Sequence, residues 1–465
     1  MERIRRAVRS LVATLVVMST FGSFGSAVFA EDAPGAVAGT PGAGSTLEEL
    51  DRKVRILERK WEIEQEAAAA KAKGAVNVTA GKDGFSIRSA DGSFQLKLNG
   101  YVHADARFFF DDKQQPAVNT FLIRRARPNV EGTVSRYVAF RILVDFGEGK
   151  SSLQDAYADF TYFPNAKLRA GKFKSPVGLE RLQSVTDARF VELALPTSLV
   201  PNRDIGFLLH GSPWKGALSY AVGVVNGVAD GGSGDGDNHD DKDGVARLFV
   251  HPFRAAGIDA LSGLGLGVGA SYGNRQGSVS DQNLPTYKTP GQQTFFKYRN
   301  GTDNVFADGA NVRISPQGYF YYGPLGLFGE YVRSTQEVRK LPSTVARLTN
   351  TSWQAAGYYL LTGEDESYGA VAPRRPFDPV KGDWGAWEVA ARYSELRVDD
   401  DAFPTFASPT SAVKKASAWA GGINWYVNRN AKVALTYEET KFTGGASVGD
   451  REKERVLLSR VQLAY

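Results

Sequence analysis

The stretch LKLNGYVHADARFFF, residues 96–110, alternates polar and apolar side chains with a period of two. Its polar set is Lys97, Asn99, His103, Asp105 and Arg107, and its apolar set is Leu96, Leu98, Val102, Ala104 and Ala106. Such alternation predicts a β-strand with one polar and one apolar face. The same period recurs in YVAFRILVD at 137–145, WEVAARY at 387–393 and RVLLSRVQLAY at 455–465. The sequence therefore predicts an all-β protein from about residue 93 onward.

Two architectures produce this alternation, and they differ in which face lies inside. A soluble sandwich packs its apolar faces together, whereas a membrane barrel turns them to lipid and lines a wet lumen with polar residues. The absence of cysteine, the 27 phenylalanines and 19 tyrosines and the aromatic last residue favour the barrel. The sequence predicts a sixteen-stranded antiparallel transmembrane β-barrel, with the even strand number that a closed bacterial barrel requires.

The sixteen strands are expected at 94–110, 119–132, 136–146, 152–162, 166–174, 204–211, 217–226, 244–251, 263–275, 310–320, 326–336, 351–362, 384–398, 415–428, 429–441 and 453–465. Short turns alternate with longer loops along this order. The connection 363–383 is the irregularity, because it is long but falls on the side of the short turns.

The N-terminal region predicts export. A basic segment, an apolar run and the small residues Val28 and Ala30 predict a signal peptide over residues 1–30. The apolar run is too short to span a bilayer. A Gly/Ala/Pro-rich flexible linker is expected at 31–45, and the barrel domain at 82–465. The predicted location is the outer membrane of a Gram-negative cell.

Between linker and barrel, apolar residues recur at alternating three- and four-residue spacing: Leu47, Leu50, Val54, Leu57 and Trp61. This heptad-like seam predicts a short N-terminal coiled-coil helix at 46–75, on the periplasmic side. So short a helix is marginal in water by itself, so we expect it to associate with copies of itself. The alternative is a single amphipathic helix that lies on a neighbouring domain.

The stretch FLIRRARPNV, residues 121–130, carries three arginines on a predicted strand. Arg125 and Arg127 share the polar face, whereas Arg124 falls on the opposite parity, where charge is tolerated only near the membrane interface. Arg107 and Arg141, on the neighbouring strands, point into the same lumen. The resulting cationic stripe predicts a path for anions, because planar guanidinium groups suit phosphate oxygens. The alternative is that these cations only pair with lumenal carboxylates, which are Asp105, Glu131, Asp145, Asp155 and Asp159.

The connection 174–204 is too apolar for a free surface loop. We expect it to fold into the lumen, narrow the pore and present Lys174, Arg181, Ser184 and Arg189 to passing solute. If it instead packs on top as a lid, these residues are charges of a vestibule.

Seven sequence blocks carry a resemblance: FLIRRARPNVEG, AGKFKSPVGLERLQ, LVPNRDIGFLLHG, GLFGEYVRSTQEV, WQAAGYYLLTGE, GAWEVAARYSEL and INWYVNRNAKVALTY. Together they resemble the phosphate-selective porin O/P family. The resemblance implies a trimeric outer-membrane porin that conducts small anions along an arginine ladder past a lysine-bearing constriction. It places ladder residues at Arg124 and Arg125, beside Arg127. Pro128 and the arginine-free strand 217–226 depart from the pattern, so the sequence predicts an anion-preferring porin rather than a strict phosphate channel.

Other chemistry has little support. The acidic stretch 227–244 resembles a calcium loop, but His239 stands at the first ligand position and Val250 at the closing one, so a solvated loop is expected. No catalytic residue, metal ligand or cofactor is predicted. The expected partners are small inorganic anions, outer-membrane lipid, two further copies of the chain and, through the coiled coil, the cell wall. The net charge of +5 does not indicate nucleic-acid binding.

Overall fold

The computed structural model describes residues 43–81, 84–110, 117–237, 239–254 and 258–465. The chain divides into two units, residues 1–71 and 72–465. The predicted signal peptide and residues 31–42 of the predicted linker lie outside the described part. Within that part, no helix is both long and apolar enough to cross a membrane.

The N-terminal helix α1 spans Ala43–Gly74, which confirms the predicted helix. Ion pairs between residues one turn apart support it, with Lys53 Nζ 3.2 Å from Glu49 Oε1 and Arg55 Nη2 2.7 Å from Asp51 Oδ2. The apolar seam is exposed along its length, at Leu47, Leu50, Val54, Leu57 and Trp61. Association of this seam with other copies stays a prediction.

Among the described residues, twenty strands follow the helix. They are β1 Asn77–Gly81, β2 Gly84–Arg88, β3 Gln95–Phe110, β4 Thr120–Val134, β5 Val138–Asp145, β6 Ser152–Phe163, β7 Ala166–Lys174, β8 Arg203–Gly211, β9 Leu218–Val225, β10 Asp243–Val250, β11 Leu264–Gln276, β12 Thr286–Lys288, β13 Thr294–Lys297, β14 Val305–Tyr322, β15 Leu325–Lys340, β16 Thr344–Leu360, β17 Ala386–Arg397, β18 Val413–Tyr426, β19 Ala431–Gly444 and β20 Glu454–Ala464. A short helix α2 spans Leu179–Leu182, and 3₁₀ turns lie at Gly147–Gly149, Leu195–Ser198, Trp214–Gly216, Asp259–Leu261, Gly301–Asp303 and Asp400–Ala402.

Sixteen of these strands, β3–β11 and β14–β20, form a closed antiparallel barrel. Closure joins the last strand to the first, from Arg455 opposite Phe110 to Ala464 opposite Tyr101. All sixteen predicted barrel strands are confirmed. The hairpin β1–β2 continues the sheet beyond the end of β20, where Phe85 pairs with Leu98 of β3.

Apolar residues cover the outer face of the barrel, as the alternation predicts. Exposed examples on different strands are Val102, Ile142, Leu209, Val222, Leu248, Leu266, Leu327, Ile423 and Val461. At the end with the short turns the surface becomes aromatic, with Tyr162, Phe163, Trp214, Tyr322, Trp384 and Tyr465 exposed. Aromatic side chains in this position are typical of barrels at a membrane interface.

The lumen is not evenly open. The connection 174–204 enters it and buries Leu195, Leu199 and Val200 against inward-facing residues of strands β15–β19. The hairpin β12–β13 adds Tyr287 and Phe296 to the same apolar core. This packing contradicts a lid that rests on top. One side of the lumen is therefore filled by apolar side chains.

The long connection between β16 and β17 also folds inward, from the opposite end. Its Tyr368 hydroxyl donates to the carbonyl oxygen of Leu179 at 2.6 Å, and Gln183 Nε2 donates to the carbonyl oxygen of Tyr368 at 2.8 Å. The irregular connection is therefore a lumenal segment, and the strand count is unaffected.

Candidate anion path

A β-bulge in β4 decides where the three arginines point. His103 of β3 pairs with Arg125, but the next residue, Ala104, pairs with Ile123, so Arg124 is inserted between them. A bulge residue breaks the alternation, and two successive side chains can then share one face. Arg124 accordingly contacts lumenal groups rather than the outer surface. The expectation that Arg124 lies on the opposite parity, near the interface, is wrong for this reason.

The segment after β5 packs closely on the bulge. The Phe146 N–H donates to the carbonyl oxygen of Ala126 at 3.0 Å, and a Cβ on Gly147 would stand 2.5 Å from the carbonyl oxygen of Arg124. Only glycine fits at this distance without a shift of the backbone. The sequence DFGEG at 145–149 is thus suited to a bulged neighbour.

Glu192, on the inward-folded connection, is the carboxylate around which the arginines gather. Arg124 Nε donates to its Oε1 at 2.6 Å. The other guanidinium groups within 4 Å are those of Arg107 at 3.5 Å, Arg460 at 3.7 Å and Arg125 at 3.8 Å. Burial by itself would raise the pKa of this carboxyl, but the charges of Arg124, Arg125 and Arg460 outweigh it and hold the pKa below its ordinary value. Glu192 is therefore ionised at neutral pH.

Two cavities flank this region on the β4 side of the lumen. The first, about 410 Å³, is lined by Arg124, Arg125, Arg181 and Glu192, together with Lys288 of the hairpin β12–β13. The second, about 250 Å³, is lined by polar groups of β3–β8 and the connection: Tyr101, Arg127, Arg141, Asp155, Tyr157, Arg169, Lys174, Ser184 and Arg203. Seven of the nine predicted path residues line one of these cavities, and Arg107 contacts Glu192 beside the first.

Within the second cavity the cations are partly engaged. Arg127 Nε donates to Asp145 Oδ2 at 2.8 Å and its Nη1 donates to the Tyr101 hydroxyl at 2.8 Å. Lys174 Nζ donates to the carbonyl oxygen of Gln183 at 2.7 Å, which ties the start of the connection to its own short helix. Arg141 Nε donates to Asn129 at 3.0 Å and retains partial exposure.

Arg189 lies apart from the other predicted path residues. It is 3 % exposed, and its Nε lies 3.0 Å from Glu366 Oε1 and 3.1 Å from Glu388 Oε2. Its Nη2 also donates to the carbonyl oxygens of Ser367 and Gly369. Arg189 thus clamps the connection 174–204 to the connection that enters from the other end.

Many cations of the lumen pair with carboxylates of the lumen, which is the alternative interpretation of the sequence. Four of the five carboxylates named there hold an arginine: Asp105 with Arg460, Asp145 with Arg127, Asp155 with Arg203 and Asp159 with Arg169. Glu131 instead accepts from the amides of Asn99 and Asn129. Sequence reasoning missed Glu192 and Arg203 as lumenal partners. Arg460 lies on the last strand, and only barrel closure brings β20 against β3.

The acidic stretch 227–244 supplies its own cation. Lys242 Nζ lies 2.7 Å from Asp237 Oδ2 and donates to the carbonyl oxygens of residues 239, 240 and 241. At its two ends Asp230 and Asp243 turn inward and pair with Arg313 and Arg275. Among the described residues, no three or more side chains of Asp, Glu, His or Cys are arranged to hold a metal ion, either in this stretch or elsewhere.

A closed sixteen-stranded barrel with an apolar outer face, a charged lumen and an inward-folded connection defines an outer-membrane porin. The family model described as phosphate-selective porin O and P matches residues 94–465, so the chain belongs to this family. Porin O of Pseudomonas aeruginosa is 25% identical over 398 residues, which is 79% of this chain and 88% of that protein. The resemblance drawn from the sequence blocks and the location in a Gram-negative outer membrane are confirmed.

A solved structure shows the same fold. The outer-membrane channel DcaP of Acinetobacter baumannii aligns with a TM-score of 0.53 and 11% identity, over 80% of this chain and 98% of that one. An anion-selective porin from Comamonas acidovorans aligns with a TM-score of 0.49 and 10% identity, over 80% of this chain and all of that one. At 11% identity the likeness to DcaP concerns the barrel and not the solute.

Proposed function

We propose that this porin gives passive diffusion of small anions, with phosphate or polyphosphate as the first candidates, along an arginine path on the β4 wall. One observation carries the proposal: Arg124, Arg125 and Arg127 lie close together on strand β4 and border two cavities. Arg181 also lines the first cavity and Lys174 the second. In this proposal an anion passes from the cations of one cavity to those of the other.

The chemistry of the lining supports an anion as solute. Guanidinium groups offer paired N–H donors that fit the oxygens of phosphate or carboxylate, and they keep their charge at any physiological pH. Rings or rows of arginine and lysine are a known basis of anion selectivity in pores. The description of the family makes inorganic phosphate the first anion to test.

The test is the reversal potential of the refolded protein in a planar bilayer across a potassium chloride gradient, repeated with phosphate added. We expect a reversal potential of the sign that preferential chloride permeation produces. We also expect the chloride current to decrease as phosphate is added. Arg125→Gln should weaken both effects, whereas Arg136→Gln, which removes an exposed cation at a turn outside the path, should leave them unchanged. A wild-type reversal potential of zero, or of the sign that preferential potassium permeation produces, would contradict the proposal.

A non-selective general diffusion pore is the second candidate. The crossed pairs of Asp105, Asp145, Asp155 and Asp159 with arginines favour it, because a neutralised pair attracts neither ion strongly. In that case Arg125→Gln would change the conductance through pore width and not the reversal potential.

For the N-terminal unit we propose export by the signal peptide at 1–30 and a coiled coil at 46–75 that joins three copies of the porin. The exposed seam of α1 supports the coiled coil, since five large apolar residues lie along one face without cover within the described part of the chain. Chemical cross-linking of the full-length protein in outer-membrane vesicles should trap trimers through α1. The double variant Leu50→Asp, Leu57→Asp should lose these products, and unchanged cross-linking would refute the coiled coil.

Contact of this coiled coil with the cell wall is a separate proposal. It predicts that deletion of residues 31–75 weakens the envelope while channel conductance survives. If the envelope stays intact after the deletion, the helix serves assembly alone.

A further inference from the structure

We propose that the carboxylate of Glu192 is a tethered competing anion: it occupies an anion-binding cluster of the pore and so sets how strongly the pore prefers anions. The cluster consists of Arg107, Arg124, Arg125 and Arg460, and is called the arginine cluster below. The inference rests on the proposed function, in which these cations attract diffusing anions.

The geometry is that of a bound anion. Guanidinium groups from three strands, β3, β4 and β20, converge on one carboxylate from within 4 Å, with Arg124 Nε as the nearest donor at 2.6 Å. The Glu192 side chain is 3 % exposed. An exposed ion pair contributes at most about 1 kcal/mol to stability. The arrangement at Glu192 differs from such a pair, because residues from several strands form a pocket around one anion.

The charge balance gives Glu192 its influence. Against the four arginines stand Glu192, Asp105, which pairs with Arg460 through two hydrogen bonds, and Glu148, which lies 3.1 Å from Arg124. Four positive and three negative charges leave one net positive charge. Removal of the Glu192 charge alone would double it to two.

The position of Glu192 does not depend on its carboxylate. Its own carbonyl oxygen accepts from Arg392 Nη1 at 3.1 Å. On either side, the Val191 N–H donates to Thr436 Oγ1 at 3.3 Å and the Ala194 N–H donates to Glu180 Oε2 at 3.0 Å. The contacts of Arg392 and Thr436 hold the backbone to strands β17 and β19, and the contact of Glu180 holds it to the short helix of the same connection. The carboxylate is therefore free to serve the charge of the pore rather than the fold of the connection.

The site adjoins the solute path. Arg124, Arg125 and Glu192 line the cavity of about 410 Å³ together, so an anion in that cavity meets the same guanidinium groups that Glu192 contacts. Small anions such as chloride and inorganic phosphate would compete with the carboxylate for them. With a neutral side chain at this position, no carboxylate would compete with the diffusing anion for binding to the arginine cluster.

The experiment compares Glu192→Gln with the wild type in planar bilayers, with chloride and inorganic phosphate as probes. We expect the anion-over-cation permeability ratio to rise about fivefold at low salt, the effect of one elementary charge at about 4 Å in water. The rise should shrink as the salt concentration increases. Phosphate should also block the chloride current at lower concentration than in the wild type. Glu192→Asp, which keeps the charge, should stay close to the wild type.

Asp187→Asn is the matched control, because it removes one negative charge from the same connection outside the arginine cluster. The proposal is overturned if Glu192→Gln leaves the permeability ratio unchanged, if it shifts the ratio no more than Asp187→Asn does, or if it raises only the conductance, as a loosened connection would. The wild-type potential tests the proposed function separately. A wild type without preference that becomes anion-selective on Glu192→Gln would support this inference and refute the proposed function.

Discussion

Replacement of Arg189 by methionine should release the two connections that meet inside the barrel. Arg189 is the cation shared by Glu366 and Glu388, and the side chains of both carboxylates are fully buried. Methionine keeps much of the volume of the side chain but supplies no charge and no donor. The variant would leave two carboxylates together in a buried site.

The magnitude follows from the cost of breaking a buried pair. Removal of one partner typically destabilises by about 3–5 kcal/mol, because the remaining charge stays uncompensated. Protonation of the carboxyls relieves part of this cost, and the lost hydrogen bonds to Ser367 and Gly369 add to it. We expect the free energy needed to open the 361–385 connection to fall by about 3 kcal/mol. This corresponds to an increase of more than about 100-fold in the population of the open state.

Hydrogen–deuterium exchange of peptides from 361–385, measured in detergent, reports this opening directly. Exchange should accelerate by about 100-fold in Arg189→Met, and single-channel conductance should rise or become noisy. Neutralising the partners as well, in Arg189→Met, Glu366→Gln, Glu388→Gln, should restore most of the protection. The exposed Arg375 of the same connection provides the control, as Arg375→Met. Unchanged exchange in Arg189→Met, together with a loss of anion preference, would show that Arg189 faces the solute and would refute the clamp.

Two further predictions concern the bulge and the pH. Deletion of Arg124 removes the bulge residue and joins Ile123 directly to Arg125, which restores the regular alternation opposite Ala104 and His103 and leaves Phe121 and Ile123 facing outward. Heat-modifiable folded barrel should therefore appear on gels for the deletion as it does for Arg124→Ala, and loss of the folded band in the deletion alone would contradict the bulge. Burial, with the neighbouring Glu388, raises the pKa of Glu366 to about 7 although Arg189 opposes it. The folded protein then binds more protons than the unfolded chain between about pH 4.5 and 7, so stability should fall as pH rises through this window. Thermal melting of the wild type and Glu366→Gln should therefore agree near pH 4.5 and diverge toward pH 7, with the variant the more stable; parallel curves would refute this.

The strands themselves were predictable because their signal is local. Each crosses the membrane with one face in lipid and one toward the interior, so the period of two is legible in a single stretch such as 96–110. The long connection 174–204 was expected in the lumen for an equally local reason, since its apolar residues need cover. Both expectations hold in the structure.

Arg124 shows where counting by parity fails. An arginine on the lipid-facing parity costs about 2–4 kcal/mol at the membrane midplane, and a bulge avoids that cost by turning the side chain inward. The conflict was visible in the sequence, but its resolution was not. A charged residue on the apolar parity of a barrel strand is thus a signal for a bulge.

The sequence by itself determined the barrel, its strand positions, the N-terminal helix and the family. Those features depend on short-range periodicity and on motifs that can be read along the chain. Only the tertiary structure decided which carboxylate each cation meets. Arg460 and Asp105 are 355 residues apart and pair because the barrel closes, and Glu192 reaches the arginine cluster because its connection folds inward. Whether the lumenal arginines attract an anion or are neutralised depends on these long-range pairs, because the electrostatic field at one point sums over residues that no local pattern brings together.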